Sequence, residues 1–202
     1  MTTKLFWEEP CLATLETTVA SVVGSMITLR ETIFYAFSGG QESDSGIIGG
    51  YPVLDAVKSN LQIQYPLPGG HGLIPGDKVR VEIDWERRYR LMRLHFAAEV
   101  VLELAYRTLP AMGKIGAHIS EDKVRLDFSW PKSLAPLLPE LTSKAQQLIN
   151  QDAKIISAFS DEEQQLCYWE IAGFANPLWW HPSETHGRGR PDRSQAQEPG
   201  QR

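Results

Sequence analysis

Cysteine is scarce in this sequence: Cys11 and Cys167 are the only two in 202 residues, too few for a disulfide framework. That points to a reducing compartment, the cytoplasm, with both thiols expected to be small buried apolar groups. Long apolar runs are missing as well. No stretch approaches the roughly 20 residues that span a bilayer, and the first ten residues carry no secretory pattern, so no membrane role is expected. Positive charge is not in excess, since 20 Lys and Arg face 25 Asp and Glu for a net −5. This argues against indiscriminate nucleic-acid binding but leaves room for a local basic patch. The Gly39-Gly40-Gln41 loop is not followed by Gly-Lys-Ser/Thr, so ATP binding by a P-loop is unsupported.

What is present suits a globular protein with a real core: 42% of residues are apolar and 22% charged. Thr14 to Val23 and Met26 to Tyr35 are rich in Thr, Val and Ile and read as strands. A polar glycine loop covers Ser38 to Gly50. Val53 to Tyr65 is extended, with Leu61, Ile63 and Tyr65 alternating against Gln62 and Gln64, until Pro66 to Gly72 breaks the pattern. Lys78 to Ile83 alternates again and runs into a helix expected from Trp85 to about Arg107, ending before Pro110 and Gly113. Two strands (Ile115 to Ile119, Val124 to Phe128), a helical period (Leu134 to Ile149) and two more strands (Lys154 to Phe159, Leu166 to Ile171) follow. The expected class is α+β: a small β-barrel-like part over residues 1–84, an α+β core over 85–175, and an aberrant tail over 176–202. Gly187 to Arg202 holds no Ile, Leu, Val or aromatic residue, so it cannot bury enough apolar area to offset chain entropy and is expected to be disordered.

The helix carries the chemistry. His95 and Glu99 stand four residues apart, so both side chains leave one face and can meet at one metal ion. Leu94, Ala98, Val101, Leu102 and Ala105 lie on or beside that face, and a buried glutamate is costly unless paired or ligated. The plainer alternatives are a surface ion pair or a core histidine bonded to a glutamate. Arg87, Arg88, Arg90 and Arg93 form a basic cluster, either solvated charges offset by Glu86 and nearby acids or contacts to RNA phosphates. His71 reads as a loop residue, and His118 has no assigned role.

Three separated motifs resemble the alanyl-tRNA editing proteins, free-standing relatives of the editing domain of alanyl- and threonyl-tRNA synthetases. The family pattern D-x-T-x-F-Y-P-x-G-G-G-Q-x-x-D-x-G is approximated by Glu31 to Gly46. Its helix D-W-x-x-R-x-x-x-M-x-x-H-T-A-x-H is matched by Asp84 to Glu99, and its R-x-D-F strand by Arg125 to Phe128. The likeness runs from about Leu5 to Phe174. It implies the second additional domain type of those synthetases and a zinc-dependent hydrolase that removes serine, and often glycine, from alanine-specific tRNA. Carried over by position, His95 is the first zinc ligand and Glu99 replaces the second histidine. Thr32 and Gln41 match positions lining the amino-acid pocket, where a hydroxyl discriminates serine from alanine. The arginine cluster is expected on the mischarged tRNA(Ala).

The family's later C-G-G-T-H zinc motif is absent. In its place stands Asn176-Pro-Leu-Trp-Trp-His-Pro-Ser-Glu-Thr-His186. Trp179-Trp180-His181 must be encoded TGGTGGCAY, which read one base later gives two glycines. The neighbouring codons permit T-P-C-G-G-T-H-P from Asn176 onward, so the sequence implies a one-base frameshift near codon 175. As printed, His181 and His186 are the alternative ligands, on a segment with no preorganisation. Two functions therefore compete: the zinc-dependent deacylase, and a catalytically impaired tRNA-binding module with an incomplete metal site. A metal hydrolase of small esters is a further alternative. No general base is assigned.

Overall fold

The computed structural model describes residues 2–152, 154, 156–161, 166–171 and 174–178, with side chains among those up to 154. The N-terminal part opens with β1 (Thr3–Lys4), β2 (Thr14–Val23), β3 (Met26–Leu29) and β4 (Glu31–Thr32). The strand expected over Met26 to Tyr35 is thus divided. Its continuation, Ile33 to Ala36, is buried in the core instead of lying in a ladder. After the glycine loop come β5 (Gly46–Ile48), β6 (Tyr51–Pro52), β7 (Val57–Ser59), β8 (Gln62–Pro66) and β9 (Lys78–Ile83). The extended run over Val53 to Tyr65 is in fact a hairpin of β7 and β8, turned at Asn60 with φ 54°, a backbone region asparagine tolerates better than most residues.

Seven of these strands make one antiparallel sheet in the order β6-β5-β9-β2-β3-β8-β7. The ten-residue β2 serves both halves: Thr14 to Thr18 pair with β9, and Val19 to Val23 pair with β3. Its register shifts between Val19 and Ser21. Such an irregularity bends a strand and increases its twist, so the sheet curls over a core of Val19, Ile27, Leu29, Phe34, Ile48, Ile63, Tyr65 and Val81. The very short β6 and β7 stand at its two ends, so this is an open curled sheet and the barrel-like expectation is corrected to that extent.

Helix α1 (Trp85–Thr108) follows β9 directly. Asp84 caps it, its carboxylate accepting from the Arg87 backbone N–H at 3.1 Å, which satisfies one of the donors a helix start leaves open. The helix stops at Leu109, before Pro110. Strands β10 (Gly113–Ile119) and β11 (Val124–Ser129) form a hairpin, and α2 (Leu138–Asn150) packs on the last turns of α1. Val100, Leu104 and Ala105 of α1 share a second core with Met112, Leu141 and Leu148. The long helix therefore belongs to both halves, tied to the first by Arg88 and to the second by its apolar C-terminal turns.

Strands β12 (Ile156–Asp161), β13 (Leu166–Ile171) and β14 (Phe174–Leu178) form an antiparallel sheet. Asn176, Pro177 and Leu178 pair with Trp169, Tyr168 and Cys167, so the expected tail boundary at residue 176 falls inside a strand. The rest of the expected tail, with His181 and His186, lies outside the described residues. Among the described residues no helix is long and apolar enough to cross a membrane.

Candidate functional site

His95 and Glu99 sit midway along α1, where the helix passes from one core to the other. Their Nε2 and Oε1 atoms are 3.8 Å apart, with 20% and 15% of the side chains exposed. The pair is neither an exposed surface contact nor sealed from solvent. His95 Nδ1 lies 2.6 Å from the side-chain Oε1 of Gln41. An amide oxygen only accepts, so Nδ1 carries the hydrogen and Nε2 keeps its lone pair on the side of Glu99. This is the tautomer a metal ligand needs, fixed by a neighbour outside the ligand set.

The loop that delivers Gln41 is stitched to both halves of the molecule. Ser38 and Gln41 exchange backbone hydrogen bonds at 3.2 and 3.0 Å. The Ile119 N–H donates to the Gly40 carbonyl at 2.8 Å, and the Glu42 N–H to the Ile119 carbonyl at 3.0 Å. Gly40 has φ +86°, and a Cβ there would meet the Ala117 carbonyl oxygen at 2.2 Å. Only glycine fits this close crossing of loop and hairpin.

Electrostatics favour neutral groups here. Burial, with a smaller contribution from the Lys114 charge, lowers the His95 pKa to about 4. Burial raises that of Glu99; Lys114 opposes this and Glu103 adds to it. A carboxylate held in such surroundings is short of positive charge, which a cation would supply. Two donors each about 2.1 Å from a tetrahedral ion lie about 3.4 Å apart, close to the separation seen. The pair therefore fits two positions of a zinc site. Among the described residues no group of three His, Cys, Asp or Glu could hold a metal ion. His181 and His186, the alternative ligands, lie beyond them.

Thr32 is fully buried. Its hydroxyl shares a 2.7 Å hydrogen bond with the Tyr65 hydroxyl and accepts from the Phe34 N–H at 3.0 Å. Burial raises the Tyr65 pKa well above the usual phenol range, so the phenol stays protonated. Of the two pocket residues expected from sequence, Gln41 is brought to His95, whereas Thr32 is engaged with Tyr65.

The arginine cluster separates into two pairs. Arg88 is buried and makes a two-pronged ion pair with Asp44, one prong at 2.8 Å between Nε and Oδ1, and also donates to the Ile33 and Pro10 carbonyls. Arg87 bridges Glu42 at 2.7 Å and Glu121 at 2.9 Å. Both guanidinium groups are committed to carboxylates of the protein, and these neutralising acids are Asp44, Glu42 and Glu121. Arg90 and Arg93 are exposed. The Arg88–Asp44 pair was not foreseen, although both residues occupy fixed positions of the patterns quoted above. Glu42 and Tyr65 were also missed, because their partners are 34 or more residues distant in the chain or, for Tyr65, 33. His118, given no role, lies 3.4 Å from Glu42. His71 is a buried loop residue whose Nδ1 accepts from the Leu73 N–H at 3.1 Å. Cys11 is exposed in the turn after Pro10, correcting the expectation of burial; the Cys167 side chain is outside those described.

Comparison with known proteins decides the family. The alanyl-tRNA editing protein AlaX-M of Saccharolobus solfataricus is 31% identical over 191 residues, 89% of this chain and 80% of that protein. The AlaX-M of Pyrococcus horikoshii is 30% identical over 159 residues, covering 77% of this chain and 73% of that one. The chain belongs to the alanyl-tRNA editing protein family. The alanine–tRNA ligase of Staphylothermus marinus is also similar, at 36% identity over 155 residues, but that match spans only 17% of the ligase. No family model matches.

Proposed function

We propose that this protein hydrolyses the ester joining a wrong amino acid to the 3′ end of alanine-specific tRNA. Serine is the expected amino acid, with glycine second. The observation that supports this most directly is the Gln41–His95 contact in a chain of this family: it presents Nε2 beside the Glu99 carboxylate in a partly open site. His95 and Glu99 are the residues that would hold zinc. Once bound, the ion would supply a Lewis acid for an ester carbonyl or a water. Gln41 keeps the imidazole in one tautomer, and Lys114 adds positive potential at the carboxylate side. Thr32 would read the serine hydroxyl by taking it in exchange for Tyr65. Such pairing discriminates well, because a buried hydroxyl left without its partner costs binding energy. The exposed Arg90 and Arg93 would meet RNA phosphates. The reaction belongs to translation and thus to the cytoplasm.

The test uses the full chain with Ser-, Gly- and Ala-tRNA(Ala), together with zinc content by mass spectrometry. Release of serine but not alanine, lost on chelation and restored by zinc, is the expected result. Tight tRNA binding with no amino acid released at saturating zinc would leave the non-catalytic tRNA-binding module in its place.

A further inference from the structure

Along one stripe of α1, the half-buried Trp85 and the exposed Tyr89 and Arg93 follow one another at four-residue spacing. The rings of Trp85 and Tyr89 are stacked, with centroids 6.0 Å apart and planes inclined by 28°. The guanidinium carbon of Arg93 lies 5.7 Å from the Tyr89 ring centroid, over its face. Tyr89 is 50% exposed, and Arg90 beside it is exposed too. Neither Arg90 nor Arg93 forms an ion pair among the described residues. The acid on this side is the exposed Glu86. Arg87 and Arg88, by contrast, turn inward to carboxylates. The stripe thus offers pre-stacked aromatic faces, a cation already lying on one of them, and positive charge that internal acids leave in place.

We propose that Trp85, Tyr89, Arg90 and Arg93 form a stacking platform for unpaired nucleotides of an RNA whose 3′ end reaches His95. This rests on the function proposed above and adds the surface that receives the strand. Every base has a π face, so such a platform holds a single strand with little sequence preference, while arginines on aromatic faces both stack and meet phosphates. Stacked aromatic rings joined to exposed arginines are the combination that holds a single strand, and the experiment below separates this from a protein interface. Tyr89 precedes His95 by six residues, roughly 9 Å along the helix axis. His95 also lies about 120° round the helix from Tyr89, so a strand leaving the stripe bends over the helix within a few nucleotides to bring its terminal ester to the site.

The experiment measures binding of a fluorescent single-stranded RNA with the sequence of the tRNA(Ala) acceptor 3′ end, over a series of salt concentrations. The full-length protein is compared with Tyr89→Leu and with Arg90→Gln/Arg93→Gln, each first confirmed to unfold at the parent temperature. Tyr89→Leu should weaken binding about tenfold with the salt slope unchanged. The double variant should lower the slope of log K against log salt by about 1.4, the value for two single-strand phosphate contacts. In deacylation of Ser-tRNA(Ala), Tyr89→Leu should raise KM and leave kcat in place. Parent affinity in Tyr89→Leu alongside intact deacylation would overturn the platform and spare the proposed function. A parent protein that neither binds RNA nor releases serine would remove both. Altered sedimentation of Tyr89→Leu with unchanged RNA affinity would make the stripe a protein interface and also overturn the proposal.

Discussion

The side-chain oxygen of Gln41 lies 2.6 Å from Nδ1 of His95, across 54 residues of chain. A loop of the N-terminal part thereby sets the tautomer of a histidine on the long helix. Replacing Gln41 by Leu keeps the size and removes the acceptor. Outer-shell partners of metal-bound histidines typically matter by about 10- to 100-fold. Gln41→Leu should weaken zinc by that order in a chelator competition, and the imidazole 15N shifts of the metal-free protein should show both tautomers. Parent zinc affinity would show that Gln41 does not orient this ring.

His95 gives the metal-free protein an acid-sensitive stability. Its pKa is lowered from 6.5 to about 4 on folding, so between those values the unfolded chain binds more protons than the folded one. Stability from this group is complete above pH 6.5 and falls as pH drops towards 4, by up to about 3 kcal/mol. Urea midpoints at pH 7 and pH 4.5 should therefore differ less in His95→Gln than in the parent chain. An equal pH response in the two proteins would contradict the buried neutral imidazole.

Glu99 acts with the opposite sign. Its pKa is raised in the folded state, so its contribution is full below the ordinary carboxylate value of 4.5 and is lost as pH rises through the folded pKa. At pH 7 the metal-free site pays for a poorly solvated carboxylate. Glu99→Gln should raise the metal-free melting temperature at pH 7 more than at pH 4, while reducing zinc content and deacylation together. Such a trade of stability for function is common at active sites. A variant that keeps zinc and activity would take Glu99 out of the site.

Asp44 and Arg88 form the buried pair that ties α1 to the curled sheet. Removing one member leaves an uncompensated buried charge, which typically costs about 3–5 kcal/mol. Asp44→Ala should lower the unfolding free energy by that amount, read as a fall in the denaturant midpoint at unchanged m-value. A change under about 1 kcal/mol would mean that the pair does not hold the two parts together.

At Gly40 the crowding is local and of a different kind. Gly40→Ala places a methyl group against the Ala117 carbonyl and should cost about 1–3 kcal/mol as loop and hairpin separate. Because Gln41 is the next residue, zinc affinity should fall with stability. Amide exchange of Ile119 and Glu42, whose N–H groups bridge loop and hairpin, would report the separation directly.

Much of the framework was legible in the chain. The end of the Lys78–Ile83 alternation, the apolar run after it and Pro110 marked α1 to within a residue of its observed ends, because periodicity and proline act locally. Enrichment in Thr and Val placed Thr14–Val23 as it stands, and period-two alternation placed Lys78–Ile83. It failed over Val53 to Tyr65, where the pattern continues through a turn that only the left-handed Asn60 reveals. The pairing of His95 with Glu99 on one face was likewise readable from a spacing of four.

By itself, then, the sequence determined the elements and the one-helix half of the site, since those depend on neighbours within a turn or a strand. Tertiary structure alone decided that Gln41 faces His95, that Thr32 is held by Tyr65, and that Arg88 is paired with Asp44. It also decided which two of four adjacent arginines face solvent. These outcomes depend on where the curled sheet sets its loops against α1. Burial then imposes on each polar group the need for a partner, and that partner is distant in sequence.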